Sequence, residues 1–252
     1  GYRARFDEPV RTTFAGFEIC GQPTWTQAPV LLQSLNILER FDLKAMGHNS
    51  PAYIHTVVEA LKLAFADRAR YMADADFAPV PIKGLLDPAY LTARAQAIVL
   101  DKTLATPAAA GNPPWRDGSR FAPDASQGRP GTSHISVVDG DGNAVSMTTT
   151  IEGAFGSQLM VRGFLLNNEL TDFSFPPARY NRSIANRVEP GKRPRSSMAP
   201  TMVFDSGGKL ELVIGSPGGS RIIGYVVQTL VAVLDWGLDI QAAIDLGHVV
   251  NR

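Results

Sequence analysis

Gly131-Thr132-Ser133-His134-Ile135-Ser136-Val137-Val138-Asp139-Gly140-Asp141-Gly142-Asn143-Ala144-Val145-Ser146-Met147-Thr148-Thr149-Thr150 is the stretch from which the fold is best read. Ile135, Val137 and Val138 form one β-rich run, and Ala144 to Thr150 form a second. The aspartate–glycine pairs at Asp139-Gly140-Asp141-Gly142 are the residues that reverse a chain between two strands, so the stretch predicts a hairpin. Asp139, Asp141 and Asn143 also imitate the opening of a calcium loop. Ala144 replaces the turn glycine and Thr150 stands where a bidentate glutamate is needed, so the hairpin is the better reading.

Upstream the pattern is helical. Leu31, Leu32, Leu35, Leu38 and Phe41 recur at helical spacing, and a second helix is predicted from Pro51 to about Met72. Asn49 or Ser50 can cap that helix and Pro51 suits its first position, while Ile54, Val57, Val58, Leu61 and Phe65 make one apolar stripe. A third, short helix is expected around Ala89 to Val99. Between Pro107 and Pro130, five prolines and three glycines with few large apolar residues predict an exposed, irregular loop.

Downstream, Met198 to Ile214 reads as a second hairpin with Asp205-Ser206-Gly207-Gly208 at its tip. The turn Gly215-Ser216-Pro217-Gly218-Gly219 then leads to a helix that buries Ile222, Ile223, Val226, Val227, Leu230, Val231 and Leu234. Helices, then strands, then helices predict layered α+β packing.

The chain has 252 residues, 44% hydrophobic and 19% charged, enough for one large domain or two small ones with a substantial core. Lysine plus arginine and aspartate plus glutamate number 24 each, so net charge recruits neither nucleic acid nor an anionic membrane, and a small-molecule partner is expected. Cys20 alone can form neither an internal disulfide nor a CxxC pair. The most apolar run, Ile222 to Leu234, is broken by Gln228 and Thr229 and reads as a buried helix, not a membrane span. The start at Gly1, without methionine, is expected of a chain from which a leader was removed or of a piece of a longer protein.

GxSxG, Walker and HExxH patterns are absent from the sequence. His48, His55, His134 and His248 are scattered, and no spacing pairs them as metal ligands. His134 would share a strand face with Thr132, which makes it a minor candidate base for a hydroxyl nucleophile. The turn Gly215 to Ser220 ahead of a helix can present N–H groups to a phosphate or an oxyanion, or be a plain strand-to-helix turn. Thr132 after Gly131 is ordinarily just a β-branched residue in a strand. If the bond between them were cut, however, the freed α-amine, with a reference pKa of about 7.7–8.0, would serve as base for the threonine's own hydroxyl.

Five blocks taken in order are far more specific than any one: Thr132-Ser133-His134; Thr148-Thr149-Thr150-Ile151-Glu152; Leu166-Asn167-Asn168-Glu169-Leu170-Thr171-Asp172-Phe173; Lys192-Arg193-Pro194-Arg195-Ser196-Ser197-Met198; and Gly215-Ser216-Pro217-Gly218-Gly219. Together with Leu35-Asn36-Ile37-Leu38-Glu39 and Ala64-Phe65-Ala66-Asp67-Arg68 upstream, the chain resembles the γ-glutamyltranspeptidases along essentially its whole length.

The resemblance implies an N-terminal nucleophile hydrolase fold: a four-layer αββα sandwich of the α+β class, here an incomplete fragment of a precursor that cuts itself. Residues 1–131 would be the C-terminal part of the large-subunit region and residues 132–252 the start of the small-subunit region, both within one catalytic domain. Thr132 would attack the carbonyl of Gly131, whose lack of a Cβ suits a tight, strained backbone, and the proline-rich loop would become a flexible tail. In the mature enzyme Thr132 would attack the γ-amide of glutathione or a related γ-glutamyl compound, and water or an acceptor amine would resolve the acyl-enzyme. Thr150 would orient the nucleophile and the N–H groups of Gly218 and Gly219 would hold the oxyanion. Glu169, Asp172 and Glu152 would meet the substrate ammonium, and Ser196 and Ser197 its α-carboxylate.

Many relatives carry Asn and Gln where Glu152 and Glu169 stand, which bears on amine recognition and on the balance of hydrolysis and transfer. The arginine that pairs with the substrate α-carboxylate would lie upstream of Gly1. No metal or organic cofactor is implied. The expected partners are a γ-glutamyl donor, water or an amine acceptor, and the two subunits of one precursor; the family is often periplasmic or secreted. Two rival readings are a cephalosporin or glutaryl acylase-like amidase of the same fold and a non-catalytic relative. The segment 174–195, containing Tyr180, is a candidate lid or an ordinary surface loop.

Overall fold

The computed structural model describes residues 3–23, 25–115, 121–125 and 131–251. Its centre is α1 (Ala28–Leu38), in which every residue is buried. A helix buried all round needs partners for its polar side chains. Gln33 finds one in Asp67 at 2.6 Å, and Asn36 in the Thr12 hydroxyl at 2.7 Å. Complete burial of Leu31, Leu32, Leu35 and Leu38 contributes about 1.5–3 kcal/mol for each side chain.

One side of α1 faces an antiparallel sheet that the helical reading of the first part did not anticipate. β1 (Val10–Phe14) and β2 (Phe17–Gly21) form a hairpin on the two-residue turn Ala15–Gly16, and β2 pairs with β5 (Thr201–Phe204), the first strand of the expected second hairpin. That hairpin closes with β6 (Leu210–Ile214), giving the order β1-β2-β5-β6. The missed strands carried a signal, since Val10, Thr12 and Phe14 alternate with charged or polar residues ahead of a tight turn.

The helical layer continues with α2 (Pro51–Tyr71), capped by the Ser50 hydroxyl, which accepts from Tyr53 N–H at 3.1 Å; Asn49 is not the cap. α3 (Pro88–Ala95) is shorter than the expected span, with Asp87 capping it. α4 (Ile222–Leu230) runs into a wider π-turn at Val231–Asp235, so Leu234 packs at the edge of the core rather than within it. Among the described residues no helix is long and apolar enough to cross a membrane.

The hairpin expected at 131–150 is present: β3 (Thr132–Val138) and β4 (Ala144–Thr150) pair in register from Thr132↔Thr150 to Val138↔Ala144. The Asp139 carboxylate fixes its tip by accepting from the N–H groups of Asp141 and Asn143, each at 2.9 Å. One face of the hairpin meets β6, where Ser136 donates to the Val213 carbonyl and Ser146 to the Ile214 carbonyl, both at 3.2 Å. Helices, sheet and hairpin thus form successive layers, and the hairpin's other face, with Ile135, Val137, Val145 and Met147, is exposed.

The proline-rich segment departs from its predicted exposure. Phe121 is buried against Ala73, Ala78 and Ala185, Ala122 is buried with its N–H on the Ser183 carbonyl, and Asp124 makes a buried ion pair with Arg195 at 2.8 Å. Apolar side chains and a paired carboxylate outweigh the local turn chemistry there. Residues 116–120 and 126–130, also covered by that expectation, lie outside the described residues.

Candidate functional site

Register brings Thr132, at the head of β3, opposite Thr150, at the end of β4. The Thr150 hydroxyl donates to the Gly131 carbonyl and accepts from Glu152 N–H at 2.8 Å. A hydroxyl donor therefore lies on the carbonyl that a Thr132 attack would require. Gly131 is needed there for close approach rather than for left-handed backbone: a Cβ would stand 1.8 Å from the Glu152 carbonyl oxygen.

Glu152 is the residue in left-handed backbone, with φ 70°, a costly conformation for a non-glycine. Its amide is held by Thr150, and its buried carboxylate accepts from Asn168 Nδ2. Asn168 Oδ1 in turn accepts from Gly153 N–H at 2.8 Å, and Asn168 N–H donates to the Ile151 carbonyl at 3.2 Å. Asn168 thus ties the loop after β4 to the acidic turn that follows it. Sequence reasoning gave Asn168 no role, although the turn-favouring pair Asn167-Asn168 was a signal.

Glu169–Asp172 is a single 3-10 turn, a geometry in which side chains three residues apart eclipse one another. Its two carboxylates lie close enough to Glu152 to feel its charge. Burial, then the charges of Asp172 and Glu152, push the Glu169 carboxyl up to about 7. Burial and Glu152 push Asp172 up to about 6 against the pull of Arg68 and Arg195. One oxygen of Glu152 and one of Glu169 are buried without a hydrogen-bond partner.

The opposite wall comes from the run 192–198, which is anchored residue by residue. Lys192 donates to the Ala185 carbonyl at 2.6 Å, Arg193 grips Asp74 at 2.7 Å, and Arg195 pairs with Asp124. Ser196 N–H donates to the Trp25 carbonyl at 2.8 Å. The Ser196 oxygen accepts from Met198 N–H at 3.1 Å, and the Ser197 oxygen accepts from Arg68 Nη2 at 2.9 Å. With their oxygens accepting, both hydroxyls keep an O–H to donate. Asn186 links the two walls, donating to the Asp172 carbonyl at 2.8 Å and accepting from Arg195 N–H at 2.9 Å.

Between the walls lies a narrow pocket lined by Thr132, Thr150, Glu152, Asp172, Ser196, Ser197, Met198, Gly219 and Ile222. All but Met198 and Ile222 were nominated from the sequence. Gly218 and Gly219 both have positive φ, 135° and 58°, and open the one-turn helix Gly219–Arg221 ahead of α4, where N–H groups lack helical partners. Glu169 does not line the pocket; the charges of Asp172 and Glu152, which do, reach it and help hold its proton. His134 shares the Thr132 face but is engaged elsewhere: Nδ1 lies 2.8 Å from the Thr148 hydroxyl and Nε2 3.0 Å from that of Ser136. Tyr180 is exposed and lies outside this pocket.

Residues 1–252 match the protein family described as Gamma-glutamyltranspeptidase. The chain is 40% identical to the glutathione hydrolase proenzyme of Bacillus subtilis (strain 168), over 97% of this chain and 42% of that protein. It is 36% identical to the acylase ACY 1 proenzyme of Pseudomonas sp. (strain V22), over 98% of this chain and 41% of that protein. Among solved structures it resembles the cephalosporin acylase from Bacillus halodurans with a TM-score of 0.82 and 27% identity, covering 97% of this chain and 41% of that one. The chain therefore spans less than half the length of these relatives.

Proposed function

The chain belongs to the γ-glutamyltranspeptidase family, with the α+β N-terminal nucleophile hydrolase fold, and from that premise we propose that it forms the central part of an enzyme that transfers or hydrolyses γ-glutamyl groups through Thr132. Residues 1–131 belong to the large-subunit region and residues 132–252 begin the small-subunit region of one catalytic domain.

In the uncut chain the Thr132 hydroxyl adds to the Gly131 carbonyl, with the Thr150 hydroxyl polarising that oxygen. Collapse of the adduct breaks the Gly131–Thr132 amide and leaves an ester. Water hydrolyses the ester to a Gly131 carboxylate and a free Thr132 α-amine. That amine, with a reference pKa of about 7.7–8.0, then takes the proton of its own hydroxyl as the oxygen attacks a γ-glutamyl carbonyl. The N–H groups of Gly218 and Gly219 stabilise the oxyanion, the amine leaving group departs with a proton, and water or an acceptor amine releases the acyl group.

One observation carries the substrate class. The pocket opening on Thr132 has the Glu152 and Asp172 carboxylates on one wall, with a buried Glu152 oxygen that has no donor, and serine hydroxyls backed by buried arginine on the other. A zwitterionic α-amino acid head complements both walls at once: its ammonium meets Glu152 and Asp172, with Glu169 reinforcing the field, and its carboxylate meets Ser196 and Ser197. The Asn186 bridge between the walls supports a fixed spacing between the two recognition halves.

A glutaryl amidase is the second reading, favoured by the likeness to acylases. A glutaryl group has no ammonium and would leave the acidic wall unpaired. The test compares hydrolysis of γ-glutamyl and glutaryl anilides by the full-length protein. A clear preference for the γ-glutamyl compound is expected, and equal rates or a glutaryl preference would reject the ammonium clamp.

A further inference from the structure

Arg68, in the last turn of α2, is a buried cation with no carboxylate within 4 Å among the described residues. Its guanidinium reaches away from its own helix: Nε donates to Gln27 Oε1 at 2.8 Å, and Nη2 to Ser197 Oγ at 2.9 Å, a residue 129 positions later in the chain. The other buried arginine of this region, Arg195, differs in having its charge met by Asp124 at 2.8 Å.

From this geometry we infer that Arg68 is a positioning residue of the carboxylate subsite, setting the Ser197 hydroxyl as a donor toward substrate and supplying the positive charge behind it. The inference rests on the reading of Ser197 given above. A serine hydroxyl both donates and accepts. With Nη2 occupying an acceptor lone pair of Ser197 Oγ, the hydroxyl proton is left to point at a pocket anion. A guanidinium behind the hydroxyl strengthens that donor, because a charged partner polarises the chain of hydrogen bonds. A substrate carboxylate would also bring the counter-charge that Arg68 lacks. Burial first, then the adjacent Arg195 charge, push the Arg68 guanidinium well down from its ordinary value, while Asp124 and Asp172 pull it back.

The Gln27 bond fixes the direction of the fork. Gln27 is fully buried at the cap of α1, and its backbone N–H donates to the Met198 carbonyl at 3.2 Å, so the same segment that carries Ser197 also holds the residue that aims Arg68. Lysine, with a single ammonium, cannot hold both partners in this geometry.

The test measures kcat and KM of the full-length protein on γ-glutamyl p-nitroanilide and on 4-aminobutyryl p-nitroanilide, which keeps the amine and lacks the α-carboxylate. Arg68→Gln is expected to raise KM for the γ-glutamyl compound about tenfold, the size of one charge-assisted hydrogen bond, with kcat and the 4-aminobutyryl constants little changed. Ser197→Ala should do the same, and the double variant should be no worse than either single one. A purely structural arginine would lower activity on both substrates alike, and that result, or losses that multiply in the double variant, overturns the inference. If Ser197→Ala leaves the ratio of the two KM values unchanged, the serine reading falls and Arg68 with it. If only Arg68→Gln leaves the ratio unchanged, Arg68 alone falls. Should Arg68→Gln not fold, Arg68→Lys decides: a smaller rise confined to the γ-glutamyl compound supports the inference, and an equal rise on both overturns it.

Discussion

Replacing Gly131 by alanine puts a methyl group where the structure has a carbonyl. The added Cβ would sit 1.8 Å from the Glu152 oxygen and 3.0 Å from its carbonyl carbon. Two backbones must then separate by roughly an ångström or more, since van der Waals contact begins near 3.5 Å. Glu152 has little room to yield, because Thr150 holds its amide and Asn168 holds its carboxylate. The strand end carrying Gly131 moves instead, which takes the scissile carbonyl off the Thr150 hydroxyl. Losing one donor to a developing oxyanion costs about 10²–10³ in rate, so self-cleavage of Gly131→Ala should slow by that factor. The assay is a time course of intact mass on freshly purified full-length protein. Gly140→Ala, at a hairpin-tip position where an added Cβ meets nothing within 4 Å, serves as the control and should cleave normally. Cleavage of Gly131→Ala at the wild-type rate would refute the close-approach argument.

Thr150→Val keeps the shape of the side chain and removes its hydroxyl, so cleavage should slow about 10²-fold or more, while Thr150→Ser retains it; the same mass assay reads both. Because Glu169 and Asp172 are raised to about 7 and about 6, the proposed ammonium site gains negative charge from these two groups as pH rises through that window. KM for a γ-glutamyl anilide should fall from pH 5.5 to pH 8, and KM for a glutaryl anilide should not. The same shifts act on stability with a definite sign: a carboxyl raised in the fold holds its proton after the unfolded chain has lost it, so folding is penalised as pH rises from about 4 to about 7. Glu169→Gln should therefore raise Tm at pH 8 and leave it unchanged at pH 4, as thermal denaturation would show. Ser50→Ala removes the cap of α2 and should cost about 1 kcal/mol in denaturant unfolding with catalysis intact.

The hairpin at 131–150 was legible because Asp139-Gly140-Asp141-Gly142 encodes a reversal locally, and α2 because Ser50 and Pro51 mark its start. β1 and β2 were harder to read, since five-residue strands gain their stability from β5, nearly two hundred residues away, and not from local propensity. Among site residues, the threonines, the acidic turn and the serine pair were visible as motif blocks, and the fold brings most of them into one pocket. Arg68, Asn168 and Asn186 were not visible as functional residues, because each acts by a hydrogen bond to a residue whose position only the folded chain defines. The buried anchoring of Phe121 to Asp124 was hidden for a similar reason: prolines and glycines around it describe a loop, while its partners Ala73, Ala185 and Arg195 lie elsewhere in sequence.

Self-cleavage at Thr132 is the claim on which the nucleophile, its base and the subunit boundary all depend. Intact-mass measurement with N-terminal sequencing of the full-length protein tests it most directly. Two chains are expected, the second beginning Thr132-Ser133-His134 with a free α-amine, and a single uncut chain for Thr132→Ala. A wild-type protein that stays whole, or is cut at another bond, would contradict it.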